Sequence, residues 1–157
     1  MNKKLTQTVV AIAMLALAAL APASASASAC TNKILAGAYG FTIQGTKLGG
    51  IGFLGQQVGV AMATFDGNGN FTQIDSVTIA GNVVSDFTHT PAAGTYTVNS
   101  DCTGSFTINF TDGRPPVTAD FVVVDKGNEI DTVVTSAGGA QGILATSSIG
   151  KKRFPAK

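Results

Sequence analysis

The feature that most constrains this chain is a succession of short alternating segments, each followed by turn-forming residues. Beyond the first 27 residues the segments recur about every 8 to 14 residues, and no amphipathic helical window of useful length interrupts them. The clearest instance is residues 94–110, where the runs 95–98 and 105–110 flank a turn cluster that includes Asn99 and Gly104. We interpret this stretch as a β-hairpin.

Nine segments have this strand-like character, and the links between them are nearly all of hairpin length. They are residues 38–44, 58–65, 71–80, 83–88, 95–98, 105–110, 117–125, 129–135 and 141–147. Short links force neighbouring strands to run antiparallel, and a long meander removes its exposed edges most simply by closing into a barrel. The sequence therefore predicts an all-β fold, a single antiparallel meander β-barrel of about 8–9 strands, with a β-sandwich as the alternative.

The N-terminus has the organisation of a signal peptide. Two lysines precede an apolar run at residues 9–20, and an Ala-Ser repeat then offers cleavage sites after Ala27 or Ala29, with Ala25 as a further fit. That run is shorter than the ~20 apolar residues of a membrane-spanning helix, so we expect no membrane span. The expected organisation is a signal peptide at 1–27, a barrel domain at 28–150 and a basic tail at 151–157. We expect the protein to be secreted or periplasmic.

Only two cysteines are present, Cys30 and Cys102, and in an exported chain they are expected to form a disulfide. The bridge would tie the start of the mature chain to the hairpin turn and would contribute roughly 4 kcal/mol by loop-closure entropy. The alternative is a lipoprotein acylated at Cys30. We disfavour it because an acylation site normally has a larger apolar residue where this chain has Ala27.

Charge narrows the classes of partner. The chain has ten basic and nine acidic residues, and loss of the two leader lysines would leave the mature protein close to neutral. The net charge therefore gives no electrostatic attraction to nucleic acid. Four basic residues, however, fall in the last seven positions. They are Lys151, Lys152, Arg153 and Lys157. We interpret them as a solvated tail, with contact to anionic lipid or polysaccharide as the alternative.

Residues 64–72, together with residues 94–98 and 101–104, resemble a group of small exported microbial proteins that have a leader, one barrel-like domain and no assigned activity. At fold level the meander also resembles the calycin-type barrels, which include lipocalins and allene-oxide-cyclase-like proteins. The chain has no Trp and hence no Gly-x-Trp lipocalin signature. The resemblance therefore implies a shape and no function.

Metal, nucleophilic and phosphate-binding motifs are weak. The run from Asp66 to Asn70 has oxygen spacing like that of a calcium loop, but position six is Phe71 and position twelve is Val77, so we expect a hairpin turn. The single histidine, His89, precedes Thr90-Pro91 and is expected in a loop, without a nucleophile elbow or a second zinc-ligating histidine. We predict no metal and no cofactor.

Strand parity suggests where polar groups could enter the interior. Along residues 71–80 the apolar side carries Phe71, Val77 and Ile79, and the same side carries Gln73 and Asp75. A carboxylate turned inward must be hydrogen-bonded or have a raised pKa, so Asp75 with Gln73 and Tyr39 is the predicted ligand-binding set. The alternative is a position near the barrel mouth, or a bulge that turns them outward.

Asp120 and Asp131 also share strand sides with valines, but both sides of those strands are apolar, so an inward position is less favoured there. Tyrosines such as Tyr39 and Tyr96 are more often packed core rings with a bonded hydroxyl than catalytic groups.

Three functions are consistent with this pattern. The leading hypothesis is a barrel without a catalytic site that binds a small apolar or amphipathic molecule in its lumen. The second is an enzyme of the cyclase or isomerase kind, in which an inward carboxylate moves a proton. The third is an extracellular structural protein attached to anionic surfaces through its basic tail.

Overall fold

The computed structural model describes residues 29–88, 92–137 and 142–153. Within these ranges the chain forms nine strands. They are β1 (Gly37–Lys47), β2 (Gly55–Phe65), β3 (Asn70–Ile79), β4 (Asn82–Ser85), β5 (Ala92–Val98), β6 (Thr103–Phe110), β7 (Val117–Val124), β8 (Glu129–Ala137) and β9 (Leu144–Lys152). Two short 3₁₀ segments, Asn32–Leu35 and Asp125–Gly127, complete the regular structure of the described residues. The expected signal peptide lies outside them.

Eight of the strands close into a barrel. The hydrogen-bonded order is β2-β1-β9-β8-β7-β6-β5-β3-β4, and a further pairing of β2 with β3 joins the two ends of the ring. Every pairing is antiparallel. The predicted all-β meander barrel is confirmed, and the sandwich alternative is wrong because closure leaves one continuous sheet instead of two facing ones.

The ninth strand, β4, pairs with β3 alone. One edge of β3 is fully paired with β2. On the other edge, β5 pairs with Asn70 to Gln73 and β4 pairs with Val77 to Ile79. Asp75 lies between the part of β3 that pairs with β5 and the part that pairs with β4.

The last strand begins and ends later in the chain than the sequence predicts. The sequence predicts a strand at 141–147 followed by a tail from 151, whereas β9 ends at Lys152. Lys151 is paired with Gly40 of β1 and with Glu129 of β8. The first two residues of the expected tail thus belong to the barrel, because ladder pairing on both edges outweighs the polarity of the lysines.

The two ends of the barrel differ. We call the end that carries the turns 66–69, 99–102 and 125–128 the lower end, and the end that carries the loops 48–54 and 111–116 the upper end. The N-terminal segment 29–36 crosses the lower end, where Cys30 is bonded to Cys102 with a Cα–Cα distance of 5.1 Å. The predicted disulfide is confirmed.

Hydrogen bonds hold this segment in place. The side-chain oxygen of Asn32 accepts the backbone N–H of Val98 at 2.8 Å, and its carbonyl accepts the Tyr96 hydroxyl at 3.1 Å. The Cys30 N–H donates to the Ser100 carbonyl at 3.1 Å, and the side chain of Leu35 is completely buried. The lower end is therefore plugged by the chain's own first described residues.

The lower interior is packed with aromatic rings. The rings in contact are Tyr39, Phe41, Phe65, Phe71, Tyr96, Phe106 and Phe121, with centroids 5.0–6.5 Å apart. Three of these rings lie over glycines directly opposite on the neighbouring strand. A Cβ added at Gly94 would come within 2.5 Å of the Phe71 ring, and one at Gly104 within 2.3 Å of the Phe121 ring. Glycine thus makes the room that large rings need inside a narrow barrel.

Candidate functional site

The upper half of the interior is not filled. A cavity of about 120 Å³, which we call the upper cavity, lies between β1, β2, β3, β4, β6, β7, β8 and β9. Its floor is formed by rings of the aromatic core, among them Phe65 and Phe71. The cavity exists because the aromatic side chains of the interior are concentrated below it, while the strands above them carry smaller and polar inward residues.

One wall of the upper cavity is wholly apolar. Strands β6 and β7 contribute only hydrocarbon side chains, and these are Phe106, Ile108, Phe110, Val117 and Ala119. Phe106 and Ile108 face the interior but remain partly accessible. An apolar ligand surface could therefore contact this wall without displacing well-bound water.

Asp75 lies inside the barrel, as its strand parity predicts. Its exposed fraction is 5%, and it lines the upper cavity together with Gln73. The Gln73 amide Nε2 donates to Asp75 Oδ2 at 3.2 Å. The inward side of β3 follows the expected alternation, since Phe71, Val77 and Ile79 are buried as well. A hydrogen-bonded carboxylate in the cavity wall can accept a proton or orient a polar ligand group.

Other polar groups line the same cavity from β1, β2, β8 and β9. Lys47 is 7% exposed and its Nζ donates to the carbonyl of Ile51 at 2.6 Å. Among the described residues no carboxylate forms an ion pair with it. Thr146 donates to Gln57 Oε1 at 3.4 Å. These side chains place polar groups among the apolar ones that β1, β2, β8 and β9 contribute, whereas the side chains from β6 and β7 are all apolar.

Two lining residues carry polar atoms without a hydrogen-bond partner in the part of the chain that the structure describes. They are Ser85, which is only 5% exposed and whose Oγ is unpartnered there, and Arg114, whose buried Nη2 is unpartnered there. Arg114 is otherwise well held, because its Nε donates to Asp112 Oδ2 at 2.7 Å and its guanidinium stacks on the Phe110 ring at 4.0 Å. Buried donors without acceptors are costly, so each marks a place where a partner would be stabilising.

The cavity reaches the surface near the upper end. The side chain of Arg114 is 29% exposed and that of Val84 is 36% exposed, although both line the cavity. The loop above them exposes four large apolar side chains, Leu48, Ile51, Phe53 and Leu54, each at least half exposed. The upper end thus joins an apolar rim to a mixed interior.

Tyr39, the third residue of the predicted set, lies elsewhere. It is fully buried in the lower core and is not among the residues that line the upper cavity. Its hydroxyl donates to the carbonyl of Gly127. Burial, and secondarily the nearby Tyr96, raise the pKa of Tyr39 to about 12. Tyr39 therefore closes the lower end, as the alternative interpretation of a packed ring with a bonded hydroxyl expected.

Asp120 and Asp131 point outward. Both are exposed, and each is paired across the β7–β8 ladder with an exposed valine. They line a shallow trough on the outer face together with Asn99 and Thr103. The inward face of β7 is instead the one that carries Val117, Ala119, Phe121 and Val123.

In the turn at residues 66–69, the Asp66 carboxylate accepts hydrogen bonds from residues of the same hairpin. Asp66 Oδ1 accepts the backbone N–H groups of Asn68 and Asn70 at 2.7 and 2.9 Å. The side-chain hydrogen bond from Asn70 and these backbone bonds lower the pKa of Asp66. The hairpin that the sequence predicts is confirmed, with Phe65 opposite Phe71.

Three residues of the expected basic tail contact the barrel. Lys151 Nζ lies 3.2 Å from Glu129 Oε2, Lys152 Nζ lies 5.5 Å from the Tyr39 ring centroid, and Arg153 Nη1 donates to Met62 Sδ at 3.6 Å. Lys157, like His89, lies outside the described residues.

Sequence reasoning missed Ser85, Arg114 and Lys47. Lys47 could have been found, since it shares parity with Tyr39, Phe41 and Ile43 once β1 is extended beyond residue 44. Ser85 belongs to a four-residue strand too short for a parity argument, and Arg114 lies in a loop that has no periodicity.

The fold and the site together define a closed eight-stranded antiparallel barrel with one plugged end and a partly polar cavity at the other. No family model matches the chain, and no curated protein matches it in sequence. The described residues contain no group of three or more His, Cys, Asp or Glu side chains that could hold a metal ion. None of their helices is long and apolar enough to cross a membrane. The resemblance to calycin-type barrels extends to a closed antiparallel barrel and no further.

Proposed function

We propose that this protein binds a small amphipathic molecule in the upper cavity. The observation that carries the proposal is the cavity of about 120 Å³ between an apolar wall on β6 and β7 and a wall that includes the buried polar residues Asp75 and Gln57. A space enclosed by apolar surface with a few convergent polar groups is the usual form of a small-molecule site. The disulfide suits an oxidising compartment and supports the expectation that the protein acts outside the cytoplasm.

The size of the cavity limits the ligand. A cavity of about 150 Å³ lined by apolar side chains accommodates benzene, so the upper cavity suits a body of about that size or a short alkyl chain. Larger molecules would have to extend past Arg114 and Val84 toward the exposed loop residues. We therefore expect affinity for monocyclic or short-chain compounds rather than for long lipids.

Isosteric monocyclic probes test the proposal. We expect toluene, benzamide or benzoate to shift the backbone amide resonances of Val117 and Ala119 in ¹H–¹⁵N correlation spectra of the full mature chain. Ala119→Leu should reduce these shifts because Ala119 is 1% exposed and lines the cavity. Ala145→Leu is the matched control, since Ala145 lies on the exposed face of β9.

Two outcomes would contradict the proposal. One is that none of the three probes perturbs the cavity amides at millimolar concentration. The other is that Ala119→Leu and Ala145→Leu lower the affinity equally, which would place binding on the outer surface. Val117→Phe, which fills the cavity from the next inward position of β7, repeats the test if Ala119→Leu fails to fold.

A second candidate function is proton transfer by Asp75 on a molecule held in the cavity. Its support is the position of Asp75, which is 5% exposed and hydrogen-bonded by Gln73 within the lining. A positioned carboxylate of this kind can act as a general base. Under this function, wild-type protein would convert a bound molecule while Asp75→Asn would bind it unchanged, as followed by mass spectrometry. Binding without conversion by the wild type would leave the carrier function.

A further inference from the structure

We propose, on the basis of the binding function above, that the upper cavity selects small carboxylates, whose head group is bound by the guanidinium of Arg114 and the hydroxyl of Ser85. Two donors that lack acceptors carry this inference. Arg114 Nη2 and Ser85 Oγ are both buried, both line the cavity, and neither has a partner among the described residues. Each would gain a hydrogen bond from an oxygen placed in the cavity.

The orientation of Arg114 favours an anion over a neutral acceptor. Asp112 engages the Nε of Arg114, and the Phe110 ring covers one face of the guanidinium. The guanidinium is thus fixed by Asp112 and by the Phe110 ring of the cavity wall, while its Nη2 has no hydrogen-bond partner among the described residues. A fixed guanidinium binds a carboxylate through charge-assisted bonds that are about twice as strong as neutral ones.

The charge of the lining points the same way. Among the described residues, the charged side chains that line the upper cavity are Lys47, Arg114 and Asp75. Gln73 donates to Asp75 and occupies part of its accepting capacity. Lys47 Nζ, at the edge of the cavity, donates to the backbone carbonyl of Ile51. Lys47 and Arg114 thus give the lining two cationic donors, and the Asp112 carboxylate pairs with Arg114 from outside the lining.

The rest of the ligand has an evident place. Phe110, on which Arg114 stacks, belongs to the apolar wall, and Val117 and Ile108 continue that wall deeper into the barrel. A carboxylate at Arg114 would direct its attached ring or short alkyl chain along this surface. The geometry thus matches a molecule with one anionic end and a compact hydrocarbon body.

The experiment compares benzoate with benzamide, which has the same shape without the charge. Isothermal titration or amide-shift titration of the wild type should give at least about tenfold tighter binding for benzoate, as expected for a hydrogen-bonded charge. Arg114→Gln should weaken benzoate by about tenfold or more and leave benzamide within about twofold. Ser85→Ala should weaken benzoate by a smaller factor without loss of the fold. Arg153→Gln, which removes an exposed arginine far from the lining, is the control.

The outcomes separate this inference from the function on which it rests. Equal affinity for benzoate and benzamide, or an unchanged benzoate affinity in both Arg114→Gln and Ser85→Ala, overturns the head-group assignment while the cavity remains a binding site. Failure of toluene, benzamide and benzoate alike overturns both proposals. If Arg114→Gln unfolds, the benzoate-to-benzamide ratio in wild type and in Ser85→Ala decides the matter.

Discussion

At the lower end of the barrel the N-terminal segment fills the opening, whereas at the upper end strands of the same sheet enclose a cavity. The lower interior is occupied by contacting aromatic rings, and its hydroxyl and amide groups find backbone partners. In the upper interior, Ser85 and Arg114 carry atoms that have no hydrogen-bond partner among residues 29–88, 92–137 and 142–153, and the loop above exposes Ile51 at 77%. One end has been packed for stability, and the other keeps polar and apolar surface that a compact core would remove.

The largest expected difference between the two ends is the cost of deleting a ring. Phe65 is 3% exposed and contacts the rings of Tyr39, Phe71 and Tyr96, so Phe65→Ala should lower the free energy of unfolding by about 3 to 5 kcal/mol. Phe110→Ala, in the wall of the upper cavity, should cost only about 1 to 2 kcal/mol because Phe110 is already partly exposed. Urea unfolding measures both. Equal losses would mean that the two ends are packed alike.

Several features of this contrast follow from the sequence. Strand parity on β3 predicts that Asp75 faces inward, and the cysteine count predicts the bridge that anchors the plug. Parity assigns a face but not a height along the barrel axis. Tyr39 and Asp75 are both inward residues, yet they lie at different levels because neighbouring strands are offset around a closed barrel. The sequence alone could not separate the two.

The positions of Ser85 and Arg114 at the upper end are less predictable from the sequence, for a different reason. Ser85 is positioned by a short strand that pairs with the upper part of β3 only, and Arg114 by contacts with Asp112 and Phe110 within a loop. These contacts depend on which loops meet at the rim. The inward face of β7 was equally ambiguous, because Val122 and Val123 are both apolar and only closure decides which is buried.

Removing the disulfide should loosen the lower end selectively. The double substitution Cys30→Ala and Cys102→Ala should reduce the free energy of unfolding by about 2 to 4 kcal/mol, since the bridge spans a sequence separation of 72. Hydrogen exchange should speed up at the Val98 amide, which is bonded to Asn32 in the plug. Amides of β3 near Val77 should keep their protection. A uniform loss of protection at both ends would contradict a locally anchored plug.

Alkaline pH should act through the lower end as well. The folded state raises the pKa of Tyr39 from 10.0 to about 12, so it favours the neutral phenol. That stabilisation is fully present below pH 10 and is lost as the pH rises toward 12, up to about 2 kcal/mol. Tyr39→Phe should therefore lose less stability than wild type between pH 9 and pH 11.5 in urea titrations. A residual loss is expected from Tyr96, whose pKa burial also raises. Parallel pH profiles for wild type and Tyr39→Phe would show that the Tyr39 hydroxyl does not titrate with unfolding.

The smallest effect on stability is expected at Ser85, and its sign is informative. Removal of a buried hydroxyl normally costs stability because its hydrogen bond is lost, but the Ser85 Oγ has none to lose among the described residues. Ser85→Ala should leave the free energy of unfolding unchanged or raise it by a few tenths of a kcal/mol. Thr132→Val is the contrasting variant, because Thr132 Oγ1 lies 2.6 Å from Ser148 Oγ in the same lining. Loss of that hydrogen bond should lower the free energy of unfolding by about 1 kcal/mol. A loss at Ser85 as large as that at Thr132 would mean that Ser85 serves the packing of the barrel. A neutral or stabilising result would mean that the hydroxyl is retained at the upper end for something other than the fold.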